Sequence, residues 1–350
     1  MANVRGMFAW RVVRHGTPPE ALSLDEVDRP EPGPGQLRVH VRTTVCNQNE
    51  VDGCEGRYRT VDPPLPYVLG MEVVGIVDAT GPGLDGWLGR RVMACAVGAH
   101  GGHGQWAIVD PDMTFDVPDR LDDVEAAAVF FPFHLAWLTL FHRGGLRSGE
   151  RLLVHSAAGG VGSAAVQLGV DAGATVIAVA GGAEKVARCR ALGAHVAVDH
   201  TSEDWVAAAL AATDGLGVDV AADLVGGTTT AETMRVMAES GRLVLVGFSG
   251  GIEAEDEGGL VPRPILFGNF SVGGIMLSYR TDPLVVRRAA GINCLPRSLG
   301  DRVHAELTTM LTAGRFRPVV GRVAPWTELP ACLEDQRLRR TTGRTVIDWR

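Results

Sequence analysis

Arg151-Leu-Leu-Val-His-Ser-Ala-Ala-Gly-Gly-Val-Gly-Ser-Ala-Ala-Val-Gln-Leu168, with Gly173-Ala-Thr-Val-Ile-Ala-Val-Ala-Gly-Gly182 close behind, is the stretch that decides the fold. The apolar run from Leu152 to His155 reads as a strand covered on both faces. The small residues after the glycines read as a helix, and residues 175–179 as a second strand, which together make one βαβ unit. Ala157, Gly159 and Gly162 stand at G-x-G-x-x-G spacing, with Ala in first place. On that reading Ala157 permits the tight turn and Gly159 lets the backbone approach a pyrophosphate. Gly162 lets the helix pack on the sheet while its free N–H groups face the anion. Ala158, Gly159, Gly160, Val161 and Gly162 are therefore the expected cofactor contacts. A merely structural turn would also favour glycine, but a strand before the triplet, a helix after it and a second strand beyond favour a dinucleotide.

The end of the second strand should carry Asp or Glu if a free ribose 2′-hydroxyl is to be held. Ala180, Gly181 and Gly182 stand there instead, and Lys185 and Arg188 follow. Without a carboxylate to repel a 2′-phosphate and with two cations to attract it, NADPH is favoured over NADH. The competing reading of Lys185 and Arg188 is the solvated face of a helix.

Working outward, 350 residues suggest two domains of ordinary size. Hydrophobic residues make up 46% and charged residues 21%, and the net charge is -8, which argues against nucleic acid or an anionic membrane as partner. No apolar run is long enough to span a membrane and no signal-peptide pattern opens the chain, so a cytoplasmic protein is expected. The six cysteines, Cys46, Cys54, Cys95, Cys189, Cys294 and Cys332, include no C-x-x-C pair and read as reduced, mostly buried thiols.

Residues 7–13, 36–44, 68–77 and 91–97 read as strands, broken by the proline clusters at 30–35 and 62–66. Helical periodicity is weak before Asp123, so the first part is β-rich, and residues 122–140 then read as one helix. After Gly182 the pattern alternates: helix 183–192, strand 195–198, helix 203–212, strand 218–224, helix 229–239 and strand 242–247. That alternation predicts a doubly wound parallel sheet. Its ligand should lie beyond the carboxyl ends of the strands, which adds Gly226, Gly247, Phe248 and Ser249 to the expected cofactor contacts. Residues 250–264 read as an exposed loop and 269–275 as a last strand. A helix at 301–312, strand 319–323, a helix after Pro330 and strand 345–347 complete the chain.

These pieces resemble the medium-chain dehydrogenase/reductase superfamily, in its zinc-free branch of NADPH:quinone oxidoreductases and enoyl reductases. The resemblance rests on Asn47 followed by Glu50, Gly56-Arg-Tyr58, Leu65-Pro-Tyr-Val-Leu-Gly70-Met-Glu, Gly75-Ile-Val and Gly104-Gln-Trp-Ala. It continues in the 157–162 loop, Lys185 before Leu192-Gly-Ala, Asp223-Leu-Val-Gly-Gly and Gly343-Arg-Thr-Val. It implies a Rossmann dinucleotide-binding domain at 131–283 and a GroES-like substrate domain from 1–130 and 284–350, with substrate held in a cleft between them.

Zinc members would have Cys at position 47 and His at position 71, where this chain has Asn47 and Met71. The lobe for a structural zinc is missing too, since Cys95 alone cannot build a closed site. His100 and His103 read as a solvated loop rather than metal ligands. Where this branch often has Ser near 181–182 and Tyr at 200, this chain has glycines and His200. His200 therefore joins Gly181 and Lys185 as an expected contact of the phosphorylated ribose. Leu135 stands where a hydroxyl residue would be usual.

What the resemblance implies is hydride transfer from NADPH to an enone, an enoyl thioester or a quinone, with no metal ligand. Charge arriving on the substrate oxygen would be met by Asn47 and Tyr58, with His134 facing the cleft. For Asn47 the competing role is a turn residue, for Tyr58 a loop anchor, for His134 a core histidine. A homodimer through residues 269–277 is implied as well. Two other readings compete: an NADPH-binding protein of this fold that docks a partner without catalysis, and a zinc alcohol dehydrogenase.

Overall fold

The computed structural model describes residues 6–58, 61–250 and 260–350. The chain divides into two compact units, Met1–Phe130 with Ser278–His304 and Val320–Arg350, and Phe131–Leu277 with Ala305–Val319. Residues 305–319, assigned from sequence to the substrate domain, cluster with the second unit. There Phe316 stacks on Phe133 with centroids 4.0 Å apart, and Gln167 exchanges hydrogen bonds of 3.1 Å with the backbone of Arg317.

The second unit is a six-stranded sheet in the spatial order Val196–Asp199, Thr175–Ala180, Arg151–Val154, Val218–Asp223, Met237–Leu245, Ser271–Gly274. Every neighbouring pair is parallel. In chain order within the sheet this is 3-2-1-4-5-6, which places the topological switch between Arg151–Val154 and Val218–Asp223. These strands are short and apolar because helices cover both faces: Leu152, Leu153, Val154, Val176, Ile177, Val220 and Ala221 are all fully buried.

The first unit is built on a six-stranded sheet in the order Val320–Pro325, Arg344–Asp348, Leu37–Val45, Glu72–Thr80, Arg91–Ala96, Trp106–Asp116. Leu37–Val45 also pairs with Trp106–Asp116, so four of these strands close on themselves around a core that includes Leu37, Val39, Val73, Val77, Val92 and Val109.

Several sequence expectations need correcting. The strand read at 68–77 is two strands, Tyr67–Val68 and Glu72–Thr80, because Gly70 turns the chain at φ +108°. A Cβ on Gly70 would stand 2.3 Å from the His103 nitrogen. The single helix read at 122–140 is Asp123–Ala127 followed by Phe130–Trp137 and a π turn at Leu138–Arg143. The helix read at 229–239 stops at Thr233, and Met237 already begins a strand, where parallel pairing with Val218 overrides local propensity. Strands Leu22–Asp28 and Trp106–Asp116 and helix Gln48–Cys54 were not anticipated. Of the loop read at 250–264, residues 251–259 lie outside the described residues, and Pro262 opens a helix to Gly268.

Candidate functional site

The glycine bend lies at the carboxyl end of Arg151–Val154, beside the switch point. The residue that makes the tight turn is Ser156, at φ +50°, and not Ala157 as the spacing suggested. Ala157 crosses to the neighbouring strand, donating its N–H to the Val179 carbonyl at 3.0 Å. Gly159 is the N-cap of helix Gly160–Asp171 and is extended, at φ -78° and ψ -177°. A Cβ on Gly159 would meet the Ser156 oxygen at 3.3 Å, and one on Gly162 would meet it at 2.2 Å and the Ala157 Cα at 2.7 Å. Gly162 is thus required by helix packing, while Gly159 leaves a bare backbone at the helix N-terminus, where N–H groups can meet an anion.

On the other side of the switch, Asp223 is buried and turns the chain after its strand. Its Oδ1 accepts from the N–H groups of Val225 at 2.9 Å and Gly226 at 3.0 Å, and its Oδ2 accepts from the Thr230 hydroxyl. The segment after Met237–Leu245 runs alongside: Val246 donates to Asp223, Ser249 to Leu224 at 2.8 Å and Gly250 to Val225 at 3.0 Å. Gly226, Gly247, Phe248 and Ser249 are thereby brought to one end of the sheet. Phe248 is exposed there, and the buried Ser249 Oγ lacks a hydrogen-bond partner among the described residues. A bare helix N-terminus after one strand and an orphaned hydroxyl after another, both beyond the carboxyl ends of a 3-2-1-4-5-6 parallel sheet, fit a dinucleotide.

His155 immediately precedes the bend. It is fully enclosed, 2.9 Å from the Thr233 hydroxyl and edge-on to Trp205, and burial pushes its imidazole down to about 4. It is a neutral packing residue, which its sequence position did not reveal.

At the end of Thr175–Ala180, Gly181 is covered by His200, whose Nε2 would lie 2.9 Å from a Cβ there. Asp199 Oδ1 accepts from the Gly182 N–H at 2.8 Å and from the Thr201 N–H and hydroxyl at 3.0 and 2.6 Å. The Thr201 hydroxyl, together with the Gly182 and Thr201 N–H groups, holds the Asp199 carboxyl down at about 2. Lys185 lies in the first turns of helix Ala183–Ala191, directly after this loop.

In the first unit, Asn47 is the N-cap of helix Gln48–Cys54 and is buried in a charged cluster. Its N–H donates to Glu50 Oε2 at 3.0 Å and its side-chain nitrogen to Glu50 Oε1 at 3.3 Å, while Arg344 donates to its Oδ1 at 2.9 Å. Arg344 also pairs with Glu72. Glu50 further accepts from the Met71 N–H at 2.9 Å and lies 3.1 Å from His103 Nε2.

Burial alone would raise Glu50, but the His103 ring and the Met71 and Asn47 N–H groups outweigh it and hold the carboxyl below its ordinary value. For Glu72 burial wins over Arg344, and the carboxyl is raised. His103 corrects the solvated-loop reading. It is completely buried, with Nδ1 2.8 Å from the Thr44 hydroxyl, which also accepts from the Trp349 indole at 3.0 Å. The amide of Asn47 is thus engaged by the protein on both sides, where the sequence expected an amide open to substrate. Tyr58 lies beyond the helix, partly buried, and its carbonyl accepts from Val61 at 3.2 Å. His134 and Leu135 are both buried in helix Phe130–Trp137.

Glu50, Glu72 and Arg344 entered the sequence reading only as members of motifs and His103 only as a loop residue, and none of the four was expected in a cluster around Asn47. The Asn47-x-x-Glu50 spacing of a capping box was the one local signal for Glu50. Among the described residues, no group of three or more His, Cys, Asp or Glu side chains is disposed to hold a metal ion.

Residues 33–119 match the alcohol dehydrogenase GroES-like domain, and residues 160–289 match the zinc-binding dehydrogenase model. The chain is 28% identical to quinone oxidoreductase of Sus scrofa over 344 residues, 97% of each chain. Among solved structures it resembles a mycobacterial protein complexed with NADPH, with a TM-score of 0.83, 26% identity and coverage of 98% and 100% of the two chains. The quinone oxidoreductase of Pseudomonas syringae gives a TM-score of 0.82, 25% identity and the same coverage. With both domain models matched and relatives aligned end to end, the chain belongs to the medium-chain dehydrogenase/reductase superfamily, in its quinone oxidoreductase-like branch.

Proposed function

We propose that this chain, an NAD(P)H-dependent oxidoreductase, uses NADPH to reduce an activated C=C bond or a quinone without a metal ion. The observation that carries the reading is the 156–162 bend: Gly162 is pressed against the Ser156 carbonyl, and Gly159 leaves the helix N-terminus bare beside the switch point. In this reading the pyrophosphate lies along Ala158, Gly159, Gly160, Val161 and Gly162. Gly226, Gly247, Phe248 and Ser249 line the rest of the dinucleotide's path, and Gly181, Lys185 and His200 meet the 2′-phosphate. When bound, NADPH supplies a hydride to an electron-poor carbon.

The protein's part is then to meet the charge that arrives on the conjugated oxygen. Tyr58, with its phenol, is the proposed donor and the group that returns a proton to the enolate. Asn47 is proposed as a second donor. Its longest bond, the 3.3 Å contact with Glu50, is the one it exchanges for the substrate oxygen, while Arg344 on Oδ1 keeps the amide from flipping. His134 is proposed to shape the pocket from its buried helix position.

The zinc-free reading is supported by donor chemistry. An amide at 47 and a thioether at 71 are poor zinc ligands, and Glu72 is committed to Arg344.

The partners proposed are a small electrophile and a second copy of the chain. Ser271–Gly274 is the edge of the parallel sheet, and Leu266 and Phe267 close to it are 71% and 70% exposed. The six free thiols suit a reducing compartment such as the cytoplasm, and no described helix is long and apolar enough to cross a membrane.

The test is a titration of the purified chain with NADPH and NADH, followed by NADPH oxidation in the presence of enones and quinones. Turnover that falls in Tyr58→Phe and Asn47→Ala, with NADPH binding unchanged, supports the assignment. Equal turnover in both variants removes those residues from the mechanism. Tight NADPH binding with no turnover on any acceptor favours the docking protein instead, and stoichiometric zinc overturns the metal-free reading.

A further inference from the structure

An ionised carboxylate offers about four lone-pair sites, and those of the buried Glu50 are taken. Its Oε2 accepts from the Asn47 N–H at 3.0 Å and faces His103 Nε2 at 3.1 Å. Its Oε1 accepts from the Met71 N–H at 2.9 Å and from the Asn47 side-chain nitrogen at 3.3 Å. Burial pushes this carboxyl up, yet the His103 ring and the two backbone donors outweigh it and bring the carboxyl below its ordinary value. Facing a carboxylate, His103 Nε2 carries a hydrogen and donates it.

The far side of the ring is clamped as well. Thr44 Oγ1 lies 2.8 Å from His103 Nδ1 and accepts from the Trp349 indole at 3.0 Å. The fold makes room for this arrangement: a Cβ on Gly70 would lie 2.8 Å from His103 Cγ, so a side chain there and the ring exclude each other. The His103 N–H donates to the Leu69 carbonyl at 2.7 Å, and its carbonyl accepts from the Trp10 N–H at 2.9 Å. Hydroxyl, imidazole and carboxylate in a row is also the order of a nucleophilic triad, but Thr44 and His103 are both 0% exposed, so no substrate reaches that hydroxyl. The row can act only through its last member, the Asn47 amide.

We propose that His103 is a positioning residue for the reduction: by donating to Glu50 it draws the carboxylate's charge away from the Asn47 amide, so that the amide can turn its N–H to the substrate oxygen. This rests on the reading of Asn47 as a donor given above, and it names the group that decides how readily Asn47 is released. Each donor on a carboxylate takes part of the same negative charge, and the Asn47 side chain has the longest of the four bonds. Without His103, Oε2 keeps one donor, and Glu50 settles on the Asn47 amide and withholds it from the substrate. Arg344 works in the same direction from the other end, since its bond to Oδ1 at 2.9 Å polarises the amide and strengthens its N–H as a donor.

The experiment is steady-state NADPH oxidation by the full chain with benzoquinone and with cyclohexenone, beside NADPH titrations and thermal melts. The proteins are wild type, His103→Leu, His103→Gln, Asn47→Ala and the double variant Asn47→Ala with His103→Leu. His103→Leu fills the space without a donor and should lower kcat about tenfold, with KM and NADPH affinity within about twofold of wild type. His103→Gln, whose amide can donate to Glu50, should recover most of that loss. In the Asn47→Ala background His103→Leu should cost nothing further, because the amide it acts through is gone.

A merely structural His103 would lower kcat by the same factor with and without Asn47, in the Leu and Gln variants alike and in step with the melting temperature. That result, or a His103→Leu protein with wild-type kcat, overturns the proposal while leaving the Asn47 reading intact. If His103→Leu does not fold, Thr44→Val, which frees the far side of the ring, takes its place in the same two backgrounds. A loss of kcat that vanishes without Asn47 then upholds the proposal, and an equal loss in both overturns it. Wild-type turnover in Asn47→Ala, or a wild-type chain that reduces neither compound, removes the Asn47 reading and this proposal with it.

Discussion

Replacing Gly159 and Gly162 by alanine, one at a time, separates two roles that every glycine bend mixes. At Gly162 the added methyl would stand 2.2 Å from the Ser156 oxygen, 2.7 Å from the Ala157 Cα and 2.8 Å from the Ser156 carbonyl carbon. All three are backbone atoms, so the helix or the turn must retreat by about 1 Å, an overpacking that costs about 1–3 kcal/mol. For a unit of the size of the one that holds Gly162, that lowers Tm by about 2–10 °C. At Gly159 the nearest atom would be 3.3 Å away, and the backbone there is one that alanine adopts freely. The small squeeze is offset by the lower entropy of the unfolded chain, worth about 0.4–1 kcal/mol, so Tm should stay near wild type.

Cofactor affinity should run the other way. With the pyrophosphate along the bend as proposed, a methyl on Gly159 would stand between it and the helix N-terminus, and charge-assisted bonds of the kind it disrupts are worth about 1.5–3 kcal/mol each. NADPH affinity should therefore fall about ten- to a hundredfold in Gly159→Ala, in a protein that melts normally. The assay is a pair of curves on each variant, a thermal melt and an NADPH fluorescence titration. A Gly159→Ala protein that binds NADPH like wild type refutes the placement of the cofactor. One that melts as early as Gly162→Ala refutes the reading of the bend's geometry.

Arg344→Met leaves Glu72 buried without its cation and frees the Asn47 oxygen, so a loss of about 3–5 kcal/mol is expected by urea unfolding near neutral pH. Because Glu72 is already raised by burial, losing Arg344 raises it further. The deficit should shrink as pH falls through the variant's Glu72 value, and a deficit independent of pH would remove Glu72 from the account. His155 gives a separate dependence: its folded value of about 4 lies below the ordinary imidazole value of about 6.5, so its stabilisation is complete above about 6.5 and is lost as pH falls toward 4. The loss is roughly 3 kcal/mol at most, and His155→Asn should flatten that part of the curve; an unchanged melt-against-pH profile contradicts the buried neutral ring. If Ser271–Gly274 forms the contact between two copies, Val272→Pro should shift sedimentation from dimer to monomer without loss of NADPH binding.

The nucleotide-binding half was legible because its signals are local. Strand, bend, helix and strand fall within thirty-two consecutive residues, from Arg151 to Gly182, and the later alternation of apolar runs gave the parallel sheet. What stayed hidden was set by distance along the chain. Arg344 lies 297 residues from Asn47 and 272 from Glu72, so no window over the sequence could pair them. His103 looked solvated because glycines surround it, yet those glycines are what let its loop press against Gly70 and bring the ring to Glu50. Ser156 carries no mark of a left-handed turn, and a glycine count assigned that role to its neighbour. Strand Trp106–Asp116 was missed since Asp110, Pro111 and Asp112 interrupt its pattern, although Asp110 and Asp112 are occupied in bonds to Arg280 and Thr281.

The strand Arg344–Asp348 lies between Val320–Pro325 and Leu37–Val45, and Val346 faces Val45. During synthesis, then, the first unit emerges early but waits for a late stave before its wall is whole, while the parallel sheet, continuous from Arg151 to Gly274, can form meanwhile. Until that stave arrives, Asn47 and Glu72 lack the guanidinium of Arg344, so their buried cluster is completed only by the last strand of the chain.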